Sequence, residues 1–358
     1  MRVRIVCYED VHAWILGKFA LRLNEELIKL GIQSDIAKTA DPNANINHHI
    51  IYIDYDELKG SEKDTLMITH IDDIRKLNQV KRQLMVAQVG ICMSKPLMEH
   101  LIMGGVPAEK LCYINPAHDG IIPVKRFTVG ITSKVQPDGC KRESMLVELS
   151  DHISPDFFDF KIMGAGWEPV IESLTKNGFK VIYYPAFDRE EYIKLIPSLD
   201  YYLYLGQDEG SMGFIDALAA GVKTIVTPQG YHLDAPNGIV YPFNTTPELI
   251  EVFNSIAKQK LNLINSVSKW TWQDYAIKHL ELWKYLLNSA QQVVSSYPDG
   301  VNSLRNKVDV NPSLNKSRYL FRLYLGAFSR VFYKIKKGFS DYETFKKKSQ
   351  IFLRNIFK

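Results

Sequence analysis

Short apolar runs alternate with stretches of helical spacing along most of the chain. "RVRIVCY" (2–8) reads as a strand, and "GKFALRLNEELIKLG" then places Phe19, Leu23, Leu27 and Leu30 on one helical face. That stretch stops at Gly31, which suits a helix end because glycine enters the left-handed region freely. "HIIYIDY" (49–55) and "TLMITHI" (65–71) read as buried strands. Asp72 and Asp73 stand where they would cap a helix over "DDIRKLNQVKRQL". "VGICMS", the helix "PLMEHLIMGG" and the strand "KLCYINP" complete the series. Strands alternating with helices predict a parallel sheet covered on both faces.

Around Pro123–Arg126 the pattern restarts. "RFTVGITS", the helix "RESMLVELSDHI", "FDFKIMG", a helix around "PVIESLTKNG", "KVIYYP", "REEYIKLIPSL", "DYYLYLG" and "VKTIVTP" repeat the same logic. The expected architecture is α/β, with two Rossmann-like doubly wound domains facing a cleft. Their expected limits are 1–124 and 125–292. Two further helices, "TPELIEVFNSIAKQ" and "WQDYAIKHLELWKYLLNSAQQ", close the second domain. Residues 293–314 are polar, carry two prolines and read as a linker. Residues 315–358 form a tail.

At 358 residues, with 46% hydrophobic and 23% charged positions, each half has enough chain to bury its own core. Cys7, Cys92, Cys112 and Cys140 include no CxxC pair, which argues against a zinc site and a disulfide framework. No metal-ligand cluster is evident. The start "MRVRIVCYED" lacks the apolar core of a signal peptide, and no apolar run approaches the ~18–20 residues of a membrane span. A cytoplasmic protein is expected.

Charge changes the picture at the tail. Residues 315–358 hold 12 Lys/Arg against 2 Asp/Glu, whereas the first 314 are mildly acidic. On a helical wheel of "RYLFRLYLGAFSRVFYKIKK" (318–337), Leu320, Phe321, Tyr324, Leu325, Phe328, Val331, Phe332 and Ile335 share one arc. Arg322, Arg330, Lys334, Lys336 and Lys337 share the other. This is the pattern of a basic amphipathic helix in a membrane interface. A helix packed on the protein's own acidic body is the alternative. No nucleic-acid recognition motif is present.

The candidate chemistry lies in "DEGSMGFIDALAAG" (208–221). A strand ending at Gly206 leads through a short loop to a helix beginning near Gly213. Free backbone N–H groups and the helix dipole favour an anion such as a pyrophosphate there. Gly210, Ser211, Met212 and Gly213 form the donor loop, whose small residues let the backbone approach closely. Asp208 and Asp216 frame it, and acceptor-only carboxylates suit sugar and ribose hydroxyls. An ordinary helix N-terminus with a favourable acid is the bland alternative.

This segment resembles the retaining GT-B glycosyltransferases of the "group 1" type, which carry two acids at this spacing before a small-residue helix. "ICMSKPLMEHLIMGGVPAEKLCYINPAHD", "RFTVGITSKVQPDGCKRESML" and "KWTWQDYAIKHLELW" are similar to further segments of that family, in order. The resemblance implies that Asp216 holds the nucleotide ribose and that Asp208 contacts the donor sugar. Lys141 and Lys134 would neutralise the diphosphate, and His70 in "MITHIDD" would face the cleft as a catalytic residue. It implies no metal and no cofactor, the nucleotide-diphosphate sugar being the donor substrate. It also implies that the last helix, about 271–292, returns to the first domain. Here both motif acids are Asp, one methylene shorter than the family's Glu.

The function expected is transfer of a sugar from such a donor to a glycan acceptor, with retention of configuration. The tail suggests a lipid-linked acceptor and a peripheral position at the inner face of the membrane, in polysaccharide or glycolipid synthesis. The Asp-for-Glu changes leave open a non-catalytic protein that binds a glycan or a partner. A nucleotide-sugar epimerase, with His70 and His118 as its acid–base pair, is a third reading.

Overall fold

The computed structural model describes residues 1–287 and 315–330; the expected linker and the tail beyond residue 330 lie outside the described residues. The chain divides into two compact units. Residues 1–119 and the described residues from 269 onward form one, and residues 120–268 form the other.

The first unit opens with β1 (Arg2–Val6), α1 (Ile15–Lys29), β2 (Gln33–Ala37), β3 (Ile46–His49) and β4 (Asp64–Ile68). It continues through α2 (Ile74–Val86), β5 (Val89–Cys92), α3 (Lys95–Met103) and β6 (Leu111–Tyr113). All six strands are parallel, in the order β2-β1-β3-β4-β5-β6. Val3, Ile5, Leu66, Ile68, Val89 and Ile91 are almost fully buried, as strands covered on both faces require. Asp73 caps α2, accepting from the amides of Arg75 and Lys76 at 2.8 and 3.0 Å.

One strand lies elsewhere than its pattern suggests. Apart from its first residue, His49, the apolar "HIIYIDY" is not a strand; β3 is "INHH" (Ile46–His49), and Tyr52–Asp54 turn as a 3₁₀ helix. The polar run is buried because it pairs sideways with β4. Asn47 donates to Asp64 at 3.2 Å, and the His48 ring lies 2.9 Å from the Thr65 hydroxyl. The edge strand β2 carries no apolar alternation and is held by the Arg4–Asp35 pair at 2.6 Å.

The second unit contains β7 (Phe127–Thr132), α4 (Ser144–His152), β8 (Phe158–Met163), α5 (Glu168–Lys176), β9 (Lys180–Tyr184) and α6 (Arg189–Leu195). β10 (Tyr201–Tyr204), α7 (Met212–Ala219), β11 (Lys223–Val226), β12 (Tyr241–Pro242) and α8 (Thr246–Asn265) follow. The sheet is parallel, in the order β12-β11-β10-β7-β8-β9. Successive strands run outward from β7 on one side and from β10 on the other. The point where that direction reverses is where such sheets open a crevice at their carboxyl ends. Each unit is thus a parallel six-stranded sheet with flanking helices, a Rossmann-like doubly wound arrangement.

α9 (Trp272–Leu287) packs within the first unit. Trp272 stands edge-on to Phe19 at 5.3 Å and donates to Asp119 at 2.8 Å. Lys18 approaches the same carboxylate at 2.5 Å. The helix over 316–330, α10, also lies against this unit, with Leu323 fully buried and Tyr319 stacked on His100 at 4.7 Å. Among the described residues no helix is long and apolar enough to cross a membrane.

Candidate active site

The second unit holds a cavity of about 630 Å³ at the carboxyl ends of β7 and β8, beside the start of α7. This is the reversal point of the sheet, and the volume lies in the range of small-molecule sites. One end is formed by Thr132, Ser133 and Lys134 after β7, and by Ser211, Met212, Gly213 and Asp216 of the motif. The other end is mostly apolar, formed by Met163, Ala165, Pro185, Ala186 and Phe187. Phe187 is 68% exposed, so one face of its ring is available to a ligand.

The motif is held from below by β10. Tyr202 and Tyr204 point in the same direction from the strand, and each hydroxyl fixes part of the loop. Tyr202 lies 2.6 Å from the Ser211 hydroxyl and 3.0 Å from that of Thr132. Tyr204 donates to Asp208. The Ser211 amide donates to His232 Nε2 at 3.0 Å, while His232 Nδ1 lies 3.2 Å from the Thr227 carbonyl. A carbonyl only accepts, so the ring proton sits on Nδ1 and Nε2 is the acceptor. Burial lowers the pKa of this ring and keeps it neutral.

Phe214 makes the first helical hydrogen bond, to the Ser211 carbonyl at 3.0 Å. The amides of Met212 and Gly213 have no acceptor among the described residues. These two donors at the positive end of α7 open onto the cavity, as does the exposed ammonium of Lys134. Asp216, one turn into the helix, also lines it. One Asp216 oxygen accepts from the Tyr192 hydroxyl at 2.5 Å.

The other motif acid is engaged differently. Asp208 receives the Lys141 ammonium at 2.5 Å, the Tyr204 hydroxyl at 2.7 Å and the Gly210 amide at 2.9 Å. Burial pushes its carboxyl up, but the hydrogen bonds from Lys141, Tyr204 and Gly210 outweigh that and hold it below the ordinary carboxylate value. Lys141 also donates to Tyr204 at 2.7 Å. Lys141, Asp208 and Gly210 therefore form a cluster of their own. Lys134, Ser211, Met212, Gly213 and Asp216 form the cavity wall.

Gly210 and Gly213 are each packed too tightly to carry a side chain. A Cβ on Gly213 would run into the Thr132 and Tyr202 hydroxyls. Gly210 has φ +124°, and a Cβ there would meet the Tyr231 ring at 2.7 Å. His70 belongs to the first unit, in the loop after β4, where its Nε2 lies 3.0 Å from Lys76 Nζ.

Several residues of the site carry no signal in the sequence. Gln229 accepts from the Asp208 amide at 3.1 Å and donates to the Gly206 carbonyl at 2.6 Å. Arg142, at φ +47°, ties together the Leu205 carbonyl, the Asn244 carbonyl and the Thr227 hydroxyl. Tyr192 and Phe187 approach from another strand–helix connection. Gln229 and Tyr192 reach the motif across 21 and 24 residues of chain, and Arg142 reaches its partners across 63 or more, so no local spacing marks them.

No protein-family model matches the chain, and no curated protein matches it in sequence. Solved structures resemble it in outline. One is the Anabaena protein HepE in complex with UDP and glucose, with 11% identity and TM-score 0.30, covering 79% of this chain and 99% of that one. Another is the apo form of the lipopolysaccharide outer core galactosyltransferase WaaB, at 12% and 0.32 over 80% and 99% of the two chains. A glycosyltransferase from Rickettsia africae matches at 12% and 0.31 over 81% and 99%. Likeness of this size carries no functional argument, and the site's own geometry has to supply one.

Proposed function

We propose that this protein is a glycosyltransferase that binds a nucleotide-diphosphate sugar in the cavity of its second unit. The observation that carries the reading is the convergence of two unpartnered amides, of Met212 and Gly213, with Lys134 and Asp216 around one cavity. Each group answers one part of such a donor. The amides, the dipole of α7 and the Lys134 ammonium offer charge stabilisation to a diphosphate. The free oxygen of Asp216 accepts a ribose hydroxyl, and the oxygen bonded to Tyr192 fixes its direction. The apolar end at Met163, Pro185 and Phe187 offers a face to a base.

Departure of the diphosphate builds negative charge, and donors already in place stabilise it without reorganising. These donors are the ones assigned to that charge. The resemblance in sequence supports transfer with retention of configuration and a glycan acceptor, with Asp208 at the donor sugar. It supports His70 as a catalytic residue from the first unit. A lipid-linked acceptor at the inner face of the membrane, in polysaccharide or glycolipid synthesis, completes the proposal.

Calorimetric titration with UDP, GDP, ADP and TDP tests it. One diphosphate should bind, and Asp216→Ala should weaken that binding at least ~tenfold, about 1.4 kcal/mol. Absence of binding by all four would reject the site. The matching nucleotide sugar should then be turned over, with the product's anomeric configuration read by NMR.

A second reading has an observation of its own. Asp208, the acid expected at the donor sugar, is closed by Lys141. A protein that binds the nucleotide sugar without transferring it would keep that pair shut, bind the diphosphate, and show neither transfer nor donor hydrolysis.

A further inference from the structure

The helix over 316–330 lies against the first unit by one narrow stripe. Tyr319, Leu323, Gly326 and Arg330 follow one another at helical spacings of four, three and four residues, which is one line along the helix. Each is fixed. Tyr319 stacks on His100 with an interplanar angle of 11°, and Leu323 is fully buried among the side chains of α2 and α3. Gly326 passes so close to the Asp72 carbonyl that a Cβ would collide with it. Arg330 pairs with Asp72 and, at 3.0 Å, with the almost fully buried Asp73. Asn315 caps the start, accepting from the Arg318 amide at 2.9 Å.

The stripe centred on Tyr319 and Leu323 is opposite the apolar arc. At 100° per residue, Phe321, Tyr324, Leu325 and Phe328 centre about half a turn away from it. These four are 63, 55, 50 and 66% exposed. Soluble helices normally bury such an arc and expose the opposite one; here a glycine and an arginine clamp make the reverse orientation the stable one. Positive charge accompanies the ridge. Arg318 and Arg322 are exposed on the same helix, and residues 331–358 hold 8 Lys/Arg against 2 Asp/Glu.

We infer that this ridge is a membrane-docking surface, and that its partner is the interface of an anionic lipid bilayer. Three observations favour a bilayer over another protein. The ridge is convex, belonging to one helix, rather than a groove. Its aromatic residues suit the headgroup boundary. The charge beside it and after it is predominantly positive, which matches anionic headgroups. The clamp makes the orientation specific, because Arg330 ties the helix to the loop at the carboxyl end of β4. The inference does not depend on the nucleotide site.

Co-sedimentation of the full chain with vesicles tests it. Vesicles of phosphatidylcholine mixed with the anionic lipid phosphatidylglycerol are compared with phosphatidylcholine alone. The full chain should partition onto the anionic vesicles and be released by salt. Phe321→Ser with Phe328→Ser should lower the partition coefficient at least ~tenfold without lowering the melting temperature, since both side chains are exposed. Arg330→Glu, which opens the clamp, should lower it as well. Unchanged partition of the double variant would overturn the inference, by assigning any binding to charge alone. So would absence of binding by the parent chain, or a dimer in solution that the double variant dissociates.

Discussion

The Lys141 ammonium lies 2.5 Å from an Asp208 carboxylate oxygen, with the Tyr204 hydroxyl bonded to both. Of the two lysines that the sequence resemblance places on the diphosphate, Lys141 is thus already neutralised, whereas Lys134 stands at the cavity with no carboxylate partner among the described residues. Lys134→Met should weaken nucleoside-diphosphate binding at least ~tenfold, about 1.4 kcal/mol. Lys141→Met should change it less than about threefold, about 0.7 kcal/mol, while lowering the melting temperature by a few degrees. Equal losses of affinity in the two variants would mean that the resting pair opens when the ligand binds.

Tyr192 contributes through Asp216. Burial, and then the hydrogen bond to Asp216, raise the tyrosine's pKa, so at neutral pH it is the donor. Tyr192→Phe removes that donor and lets the carboxylate rotate. Nucleotide affinity should fall about three- to tenfold, roughly 0.7–1.4 kcal/mol, as for one charge-assisted hydrogen bond of modest net worth. The effect should appear in the dissociation constant or KM, with kcat little changed.

Gly213→Ala addresses packing beneath the motif. The added methyl has nowhere to go, because the Thr132 and Tyr202 hydroxyls occupy its place. Thermal unfolding should show a loss of about 1–3 kcal/mol, the usual cost of overpacking. Nucleotide binding should fall with it, because the start of α7 is pushed off β7 and β10. A variant with parental stability and affinity would show that the helix can shift without disturbing the site.

Acid should loosen the first unit through His48 and His279. The rings lie 5.0 Å apart, fully buried, and burial lowers both pKa values, that of His279 to about 4. The folded state holds them neutral, whereas the unfolded chain takes up protons near the ordinary value of about 6.5. Their contribution to stability is therefore complete above about pH 6.5 and is lost as pH falls toward about 4. Melting temperatures at pH 7.5, 6.0 and 5.0 should fall in that order, and His279→Gln should make the fall shallower. An identical slope in the variant would remove His279 from the account.

The α/β class could be read from alternation alone. Strands such as "VGIC" and "YYLY" are continuous apolar or aromatic runs, and the helices between them carry one apolar face, so local pattern and final burial agree. β3 was hidden because its polar side chains are paid for by partners on β4, 17 residues further along. The motif was legible as a loop entering a helix, since glycine and small residues mark such a turn locally. Its supports were not: Tyr192, Gln229 and His232 reach it from other parts of the chain, and hydrogen bonds over those separations leave no trace in spacing.

By itself, the amino-acid order determined where most strands and helices form, β3 excepted, that the sheets are parallel, and that α10 has an apolar arc beside a basic one, because periodicity and turn chemistry act within a few residues. Only the tertiary structure decided that Lys134 rather than Lys141 faces the cavity, and that α10 docks by Tyr319, Leu323 and Arg330 with its apolar arc turned outward. Both depend on which distant carboxylate captures a cation first, Asp208 for Lys141 and Asp72 with Asp73 for Arg330. Such competition is settled by distance in space, which a linear sequence does not carry.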